Sequence, residues 1–143
     1  MPNAVNPVSI FLPVLVVVAL TFIAFIRMAA ARGAVAKDQD PNFYRAHIGA
    51  PEPETAVVAV RHYGNLFELP TLFYAACISA FVLQAVGEWT LRFAWTYVAA
   101  RIVQSAIHLT YNNPAHRGLA FVVGMVGVIA LWVNLALVIC ARL

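Results

Sequence analysis

Three polar side chains open the second apolar stretch of this chain: Arg61, Asn65 and Glu68, in the run RHYGNLFELPTLFY. Their i, i+4, i+7 spacing puts them on one face of a helix. At a rise of about 1.5 Å per residue, Glu68 lies roughly 10 Å deeper than Arg61. A second polar set, Tyr97, Arg101, Gln104, Ser105, His108 and Tyr111, recurs at three- and four-residue spacing, and Asn112, His116 and Arg117 follow it. Arginines suit carboxylates because their planar N–H groups bind both oxygens at once. Two such stripes facing each other therefore describe a cleft for a polar, anionic ligand. Arg101 precedes Tyr111 by ten residues, about 15 Å, and Glu68 lies about 18 Å into its own segment, so the two depths match and a Glu68–Arg101 ion pair is expected. An intramembrane ion pair can simply hold helices together, but the stripes carry more polar groups than such a pair needs. Pro70 cannot donate to the carbonyl of Leu66, so a bend and a spare acceptor are expected beside the polar face.

The elements that must position these groups are apolar. Of 143 residues, 63% are hydrophobic and 10% charged, against about a quarter charged in a soluble domain, and the mean hydropathy is +0.83. Four segments, about residues 8–30, 56–86, 90–111 and 118–141, reach the roughly 20 residues that cross a bilayer. The loop 32–55 holds Lys37, Asp38, Asp40, Pro41, Arg45, Pro51, Glu52, Pro53 and Glu54, a mixture of prolines and charges that excludes a buried helix. The other connections, Gly87-Glu88-Trp89 and Asn112-Asn113-Pro114-Ala115, are short. Short links join antiparallel neighbours, so the expected fold is all-α: an integral membrane four-helix up-down bundle, one domain over 1–143.

Arg27, Arg32, Lys37, Arg45 and Arg61 cluster around the first loop and Arg117 near the third connection, while Arg92 and Arg142 alone mark the opposite side. The positive-inside rule then puts both termini on the non-cytoplasmic side. Ala29-Ala30-Ala31 resembles a cleavage site, but no Lys or Arg precedes Arg27, and the first apolar run reads as a retained helix. Trp89 and Trp95 fit an interfacial belt. Cys77 and Cys140 have no metal or CxxC spacing and are expected as buried small hydrophobes. Gly118, Gly124 and Gly127 suit close helix approach, and Asn134 an interhelical hydrogen bond. The formal charge of +3 is dispersed, with no basic run for nucleic acid.

Taken in order, Arg61-x3-Asn65-x2-Glu68 with a following proline, Arg101-x6-His108, Arg117 at the start of the fourth helix, and Arg32 nine residues before Pro41 resemble the MAPEG family, membrane-associated proteins in eicosanoid and glutathione metabolism. The likeness covers nearly the whole chain and suggests a divergent bacterial member in the inner membrane. It implies a homotrimer of four-helix subunits with glutathione, as cosubstrate, bound between subunits near the cytoplasmic side. By the same likeness Arg61, Asn65 and Glu68 hold the tripeptide's polar ends, Arg101 supports Glu68 or a glutathione carboxylate, Arg32 approaches from the first helix, and Arg117 is the catalytic residue beside the sulfur. A fixed cation lowers a thiol's pKa and favours the thiolate. The sequence departs from the family at His108, where eicosanoid-metabolising members carry a tyrosine that contacts glutathione; Tyr111, one turn on, is the substitute. Gln104 and Gly64 also differ, and Pro70 follows Glu68 sooner than in many relatives.

The function implied is a glutathione-dependent transferase or peroxidase acting on apolar electrophiles or hydroperoxides. A non-catalytic lipid-binding or scaffold protein of the same fold is the alternative. A small multidrug-type proton antiporter fits less well, because Arg61 and Arg101 would keep Glu68 ionised.

Overall fold

A computed structural model describes residues 5–46, 49 and 51–143, and among them the chain is all-helical. A 3-10 turn, Pro7–Ile10, leads into α1 (Phe11–Val35); α2 (Pro41–Ala46), α3 (Glu54–Gly64), α4 (Leu69–Val82), α5 (Glu88–Leu109) and α6 (Pro114–Cys140) follow. Three columns are long and apolar enough to cross a membrane: Pro7–Val35, Glu54–Val82 and Pro114–Cys140. The fourth expected span corresponds to α5, whose 22 residues have the length, about 33 Å, but include Glu88, Arg92 and Arg101.

The second span departs from expectation. A single helix over 56–86 is replaced by α3 and α4, separated by turns at residues 65–68. Pro70 sits in the first turn of α4, where its missing N–H costs nothing, and its ring would clash with the Leu66 carbonyl if the helix ran through. The chain answers with tight turns, Leu66 N–H to Tyr63 O at 3.0 Å and Phe67 N–H to Gly64 O at 3.0 Å. At Glu68 the backbone is no longer helical, with φ −83° and ψ −87°. The column also ends earlier than expected, at Val82, and Gln84 takes a positive φ of 49°. Arg142 donates to the carbonyls of Leu83 and Gln84, tying the end of α6 to this turn.

The other termini follow local chemistry. Asn113 caps α6, its side chain accepting from the N–H groups of Ala115 and His116, with Pro114 in the first turn, so α6 starts four residues before the expected span. Thr90 Oγ1 donates to Ala85 O at 3.1 Å and accepts from Gly87 N at 3.2 Å. Asn134 Nδ2 donates to the same hydroxyl at 3.0 Å, the interhelical bond the sequence suggested.

The core joins Ile10, Val17, Phe73, Ala76, Cys77, Ala94, Tyr97, Val98, Val128 and Leu131. Tyr97 is fully buried and packs its ring on Phe73 at a centroid distance of 4.4 Å. Of the two cysteines, Cys77 is buried as expected, whereas Cys140 is exposed on the last turn of α6. α5 and α6 form the closest pair because glycine lets their backbones meet. A Cβ on Gly127 would lie 3.3 Å from Tyr97 N and 3.4 Å from Phe93 O. One on Gly124 would meet only side-chain atoms, at 3.5 Å or more, and Gly118 has nothing within 4 Å.

Because backbone cannot yield as a side chain can, Gly127→Val is expected to lower the thermal midpoint of the detergent-solubilised protein by about 5 °C or more. Gly124→Ala should move it by no more than about 2 °C. Tryptophan-fluorescence melting reads both.

Candidate functional site

The site begins with the carbonyl that the broken column releases. Asn65 O accepts from Arg101 Nη2 at 2.6 Å, and Arg101 Nη1 donates to Gln104 Oε1 at 2.5 Å. The spare acceptor thus belongs to Asn65, one residue before the expected Leu66. Arg101 is only 2% exposed; a buried guanidinium needs its N–H groups engaged, and a backbone carbonyl and a carboxamide engage two of them.

The expected Glu68–Arg101 ion pair is not formed. Among the described residues the ion pairs within 4.0 Å are Arg32–Glu52 and Glu88–Arg92. The single-face spacing of Arg61, Asn65 and Glu68 assumed a continuous helix, and the turns at 65–68 carry Glu68 out to an exposed position. Its charge still acts on Arg101 at longer range.

Arg117, in the first turn of α6, is held from behind. Its Nη1 donates to Asn112 Oδ1 at 2.8 Å and lies 3.4 Å from His108 Nε2. Its other N–H groups make no hydrogen bond among the described residues. A cavity of about 300 Å³ opens in front, lined by Asn65, Glu68, Gln104, Pro114, Arg117, Gly118 and Phe121, at the lower end of the size range of small-molecule sites. The first-turn amides of α6 add partial positive charge. Among the described residues the Glu68 carboxylate makes no hydrogen bond or ion pair, so one cavity presents an unpaired anion, a cation with N–H groups to spare and two amide side chains.

Behind Arg117 the wall is buried. His108 is 3% exposed and meets the ring of His62 edge-on at 5.1 Å. His108 Nδ1, His62 Nε2, Arg101 Nε and Tyr97 Oη are buried with no hydrogen-bond partner among the described residues. Arg61 is exposed on the last turn of α3; its guanidinium makes no bond among the described residues, and its charge reaches His108.

Of the eight site residues named from sequence, Asn65, Glu68 and Arg117 line the cavity; Arg101 and His108 stand behind it, bonded to lining residues, and His108 itself faces a separate cavity of about 360 Å³ with Arg27, Glu54 and Asn112. Arg61 stands nearby. Two lie elsewhere. Arg32 is engaged by Glu52, with Nε–Oε1 at 3.0 Å and Nη2–Oε2 at 3.3 Å, and its guanidinium stacks over the Tyr44 ring at 5.6 Å. Desolvation and the neighbouring Glu52 carboxylate push the Tyr44 phenol above its ordinary pKa. Tyr111 bonds His116 Nδ1 at 3.1 Å and lines a different, apolar cavity of about 580 Å³ between α5 and α6, with Val103, Ile107, Leu119 and Val123. Sequence reasoning passed over His62 and the anchoring role of Asn112. An imidazole next to Arg61 in a mainly apolar helix was the available signal for His62. No three His, Cys, Asp or Glu side chains gather to hold a metal among the described residues.

If Arg101 holds the broken column together, Arg101→Met leaves the Asn65 carbonyl and the Gln104 amide unpaired. A loss of about 2–4 kcal/mol is expected, read as a lower thermal midpoint in detergent. Arg101→Lys should recover only part of it, because one ammonium lacks the planar reach. Glu68→Gln should shift the midpoint far less than Arg101→Met; an equal loss would mean that the ion pair, not the carbonyl contact, carries the stability.

Comparison with known proteins gives one positive result. No curated protein and no solved structure shows a significant match, but the sequence profile described as "MAPEG family" matches residues 10–137. That range runs from the start of α1 to within three residues of the end of α6 and holds every site residue above, and the three apolar columns fit an integral membrane protein. The chain belongs to the MAPEG family.

Proposed function

We propose that this chain is a membrane-bound, glutathione-dependent transferase or peroxidase acting on apolar electrophiles or hydroperoxides. Family membership supports a glutathione-related membrane function. The observation that carries the finer reading is the cavity in which Arg117, fixed by Asn112 and His108, faces the unpartnered carboxylate of Glu68. Glutathione carries an ammonium, two carboxylates and a thiol. Glu68 suits the ammonium, Asn65 the peptide groups, and the free N–H groups of Arg117 the sulfur. A thiol beside a fixed guanidinium gives up its proton to solvent more readily. The thiolate then attacks the electrophile, forming the S–C bond as the leaving group departs. With a hydroperoxide it attacks the distal oxygen, forming an S–O bond as the O–O bond breaks and the alkoxide leaves, protonated by solvent, as the alcohol; a second glutathione then displaces water from the sulfenic acid to give the disulfide.

The site also argues for more than one copy. Arg61 and Glu68 are exposed in the single chain, although their column is apolar enough to span. Charges at that depth must face protein or water. A neighbouring subunit covering them completes the cleft, and the family likeness makes the assembly a homotrimer, with Arg32 and Arg61 reaching toward a neighbour's ligand. α5 serves as the fourth span: Arg101 and His108 point inward, while Trp95, Ile102 and Val103 are exposed outward. The Lys and Arg bias favours a cavity at the cytoplasmic side with both termini opposite, and the family likeness favours a bacterial inner membrane.

A lipid-binding or scaffold role is the second reading. Two observations favour it: His108 is spent on Arg117 rather than offered to a ligand, and the larger cavity, at Tyr111, is apolar.

Calorimetric titration of the solubilised oligomer with glutathione separates the two; silence up to millimolar concentration would sink the enzyme. In an active protein, Arg117→Ala should cut turnover of a small apolar electrophile by about 100-fold or more, and Glu68→Gln should weaken glutathione binding by roughly tenfold. Light scattering should give three chains per particle; a monomeric particle that still binds glutathione would remove the shared-site reading.

A further inference from the structure

We propose that His108 is the positioning residue of Arg117, acting as a neutral imidazole whose proton sits on Nδ1. The inference rests on the reading of Arg117 as the group that meets the sulfur, and it adds how this chain fixes that group.

The argument starts from valence. Arg117 has only donors, so where its Nη1 approaches His108 Nε2 at 3.4 Å, Nε2 must be the acceptor. In a neutral ring that leaves the proton on Nδ1. Nη1 carries two hydrogens and has two acceptors, Asn112 Oδ1 at 2.8 Å and His108 Nε2. One nitrogen held at two points fixes the plane of the guanidinium and leaves the remaining N–H groups for the cavity. The two acceptors come from different places, the last turn of α5 and the α5–α6 connection, where Asn112 adopts a positive φ of 46°.

His108 cannot easily turn away. It is 3% exposed, and its ring packs edge-on against His62, itself 4% exposed. A ring flip would turn the Cε1 carbon toward Arg117 and remove the acceptor. Adding a second proton would set an Nε2 donor against the Arg117 donor and place a cation beside Arg117 and Arg61. The buried imidazole is thus a one-sided acceptor held by packing, a device that a tyrosine hydroxyl, free to rotate and donate, does not reproduce.

Two measurements test this. In detergent-solubilised full-length protein labelled with 15N-histidine, the two-bond nitrogen–proton spectrum at neutral pH should show His108, assigned by loss of its signals in His108→Gln, protonated on Nδ1 alone. In Arg117→Ala the Nε2 shift of His108 should move while that of His62 stays. A spectrum with the proton on Nε2, or no response to Arg117→Ala, overturns the proposal. This readout needs no glutathione, so it holds or fails separately from the enzymatic reading.

The second measurement is kinetic, with glutathione and a small aryl halide. His108→Phe keeps the packing and removes the acceptor, and should lower kcat by about tenfold or more with KM changed less than about twofold. His108→Gln, which places an amide oxygen near the position of Nε2, should recover most of that loss. Equal losses in both variants with unchanged thermal midpoints would overturn the positioning role.

Discussion

A buried guanidinium on a broken helix organises this molecule. Arg101 reaches from α5 to the Asn65 carbonyl, an acceptor that exists because Pro70 forbids a continuous helix between α3 and α4. Each side needs the other. Without the break, that carbonyl would be committed to its own helix; without Arg101, it would be buried unpaired. The contact sets the position of residues 65–68 and, through them, the floor of the polar cavity. Glu68 is released to face outward by the same break.

The rest of the site follows from how the helix ends are finished. Asn113 caps α6 and so places Arg117 in its first turn. Asn112, one residue before the cap, has a backbone that turns its amide toward the Arg117 guanidinium. His108 completes the hold from the last turn of α5. The apolar contacts deeper in the bundle, from Phe73 on Tyr97 to the glycine seam at Gly127, keep α5 and α6 in register so that these ends meet. Function at one end therefore depends on packing some turns away.

Much of this was legible in the sequence, for physical reasons that differ by residue. Apolar runs and short links specify the helices, because twenty or so apolar residues have few other fates. Asn134 was legible because a lone amide in an apolar helix must find a partner. The Glu68–Arg101 pair was misread for an equally physical reason: depth along a helix can be counted only while the helix continues, and Pro70 ended it. The sequence did show that proline and the carbonyl it would free, but not that the chain would use the neighbouring carbonyl. Tyr111 was misplaced because the helix ends at Leu109; beyond it, periodicity no longer says which side a residue takes. His62 signalled only that a polar ring sat in a mainly apolar helix; its partner, another imidazole forty-six residues away, could not be read from spacing.

The interruption at residues 65–68 has a mechanical side. A continuous helix resists bending because each bend strains its hydrogen-bond ladder. Here the ladder is already open, so α3 can change its tilt against α4 without losing a helical bond, while α4 stays anchored in the apolar core by Phe73, Ala76 and Cys77. The column is an elbow whose crook carries Asn65 and Glu68, both lining the polar cavity, with Arg101 as the tendon on Asn65. The width of that crook is then set by the angle of α3, and by whatever the loop between α1 and α3, clasped through Arg32 and Glu52, pulls against.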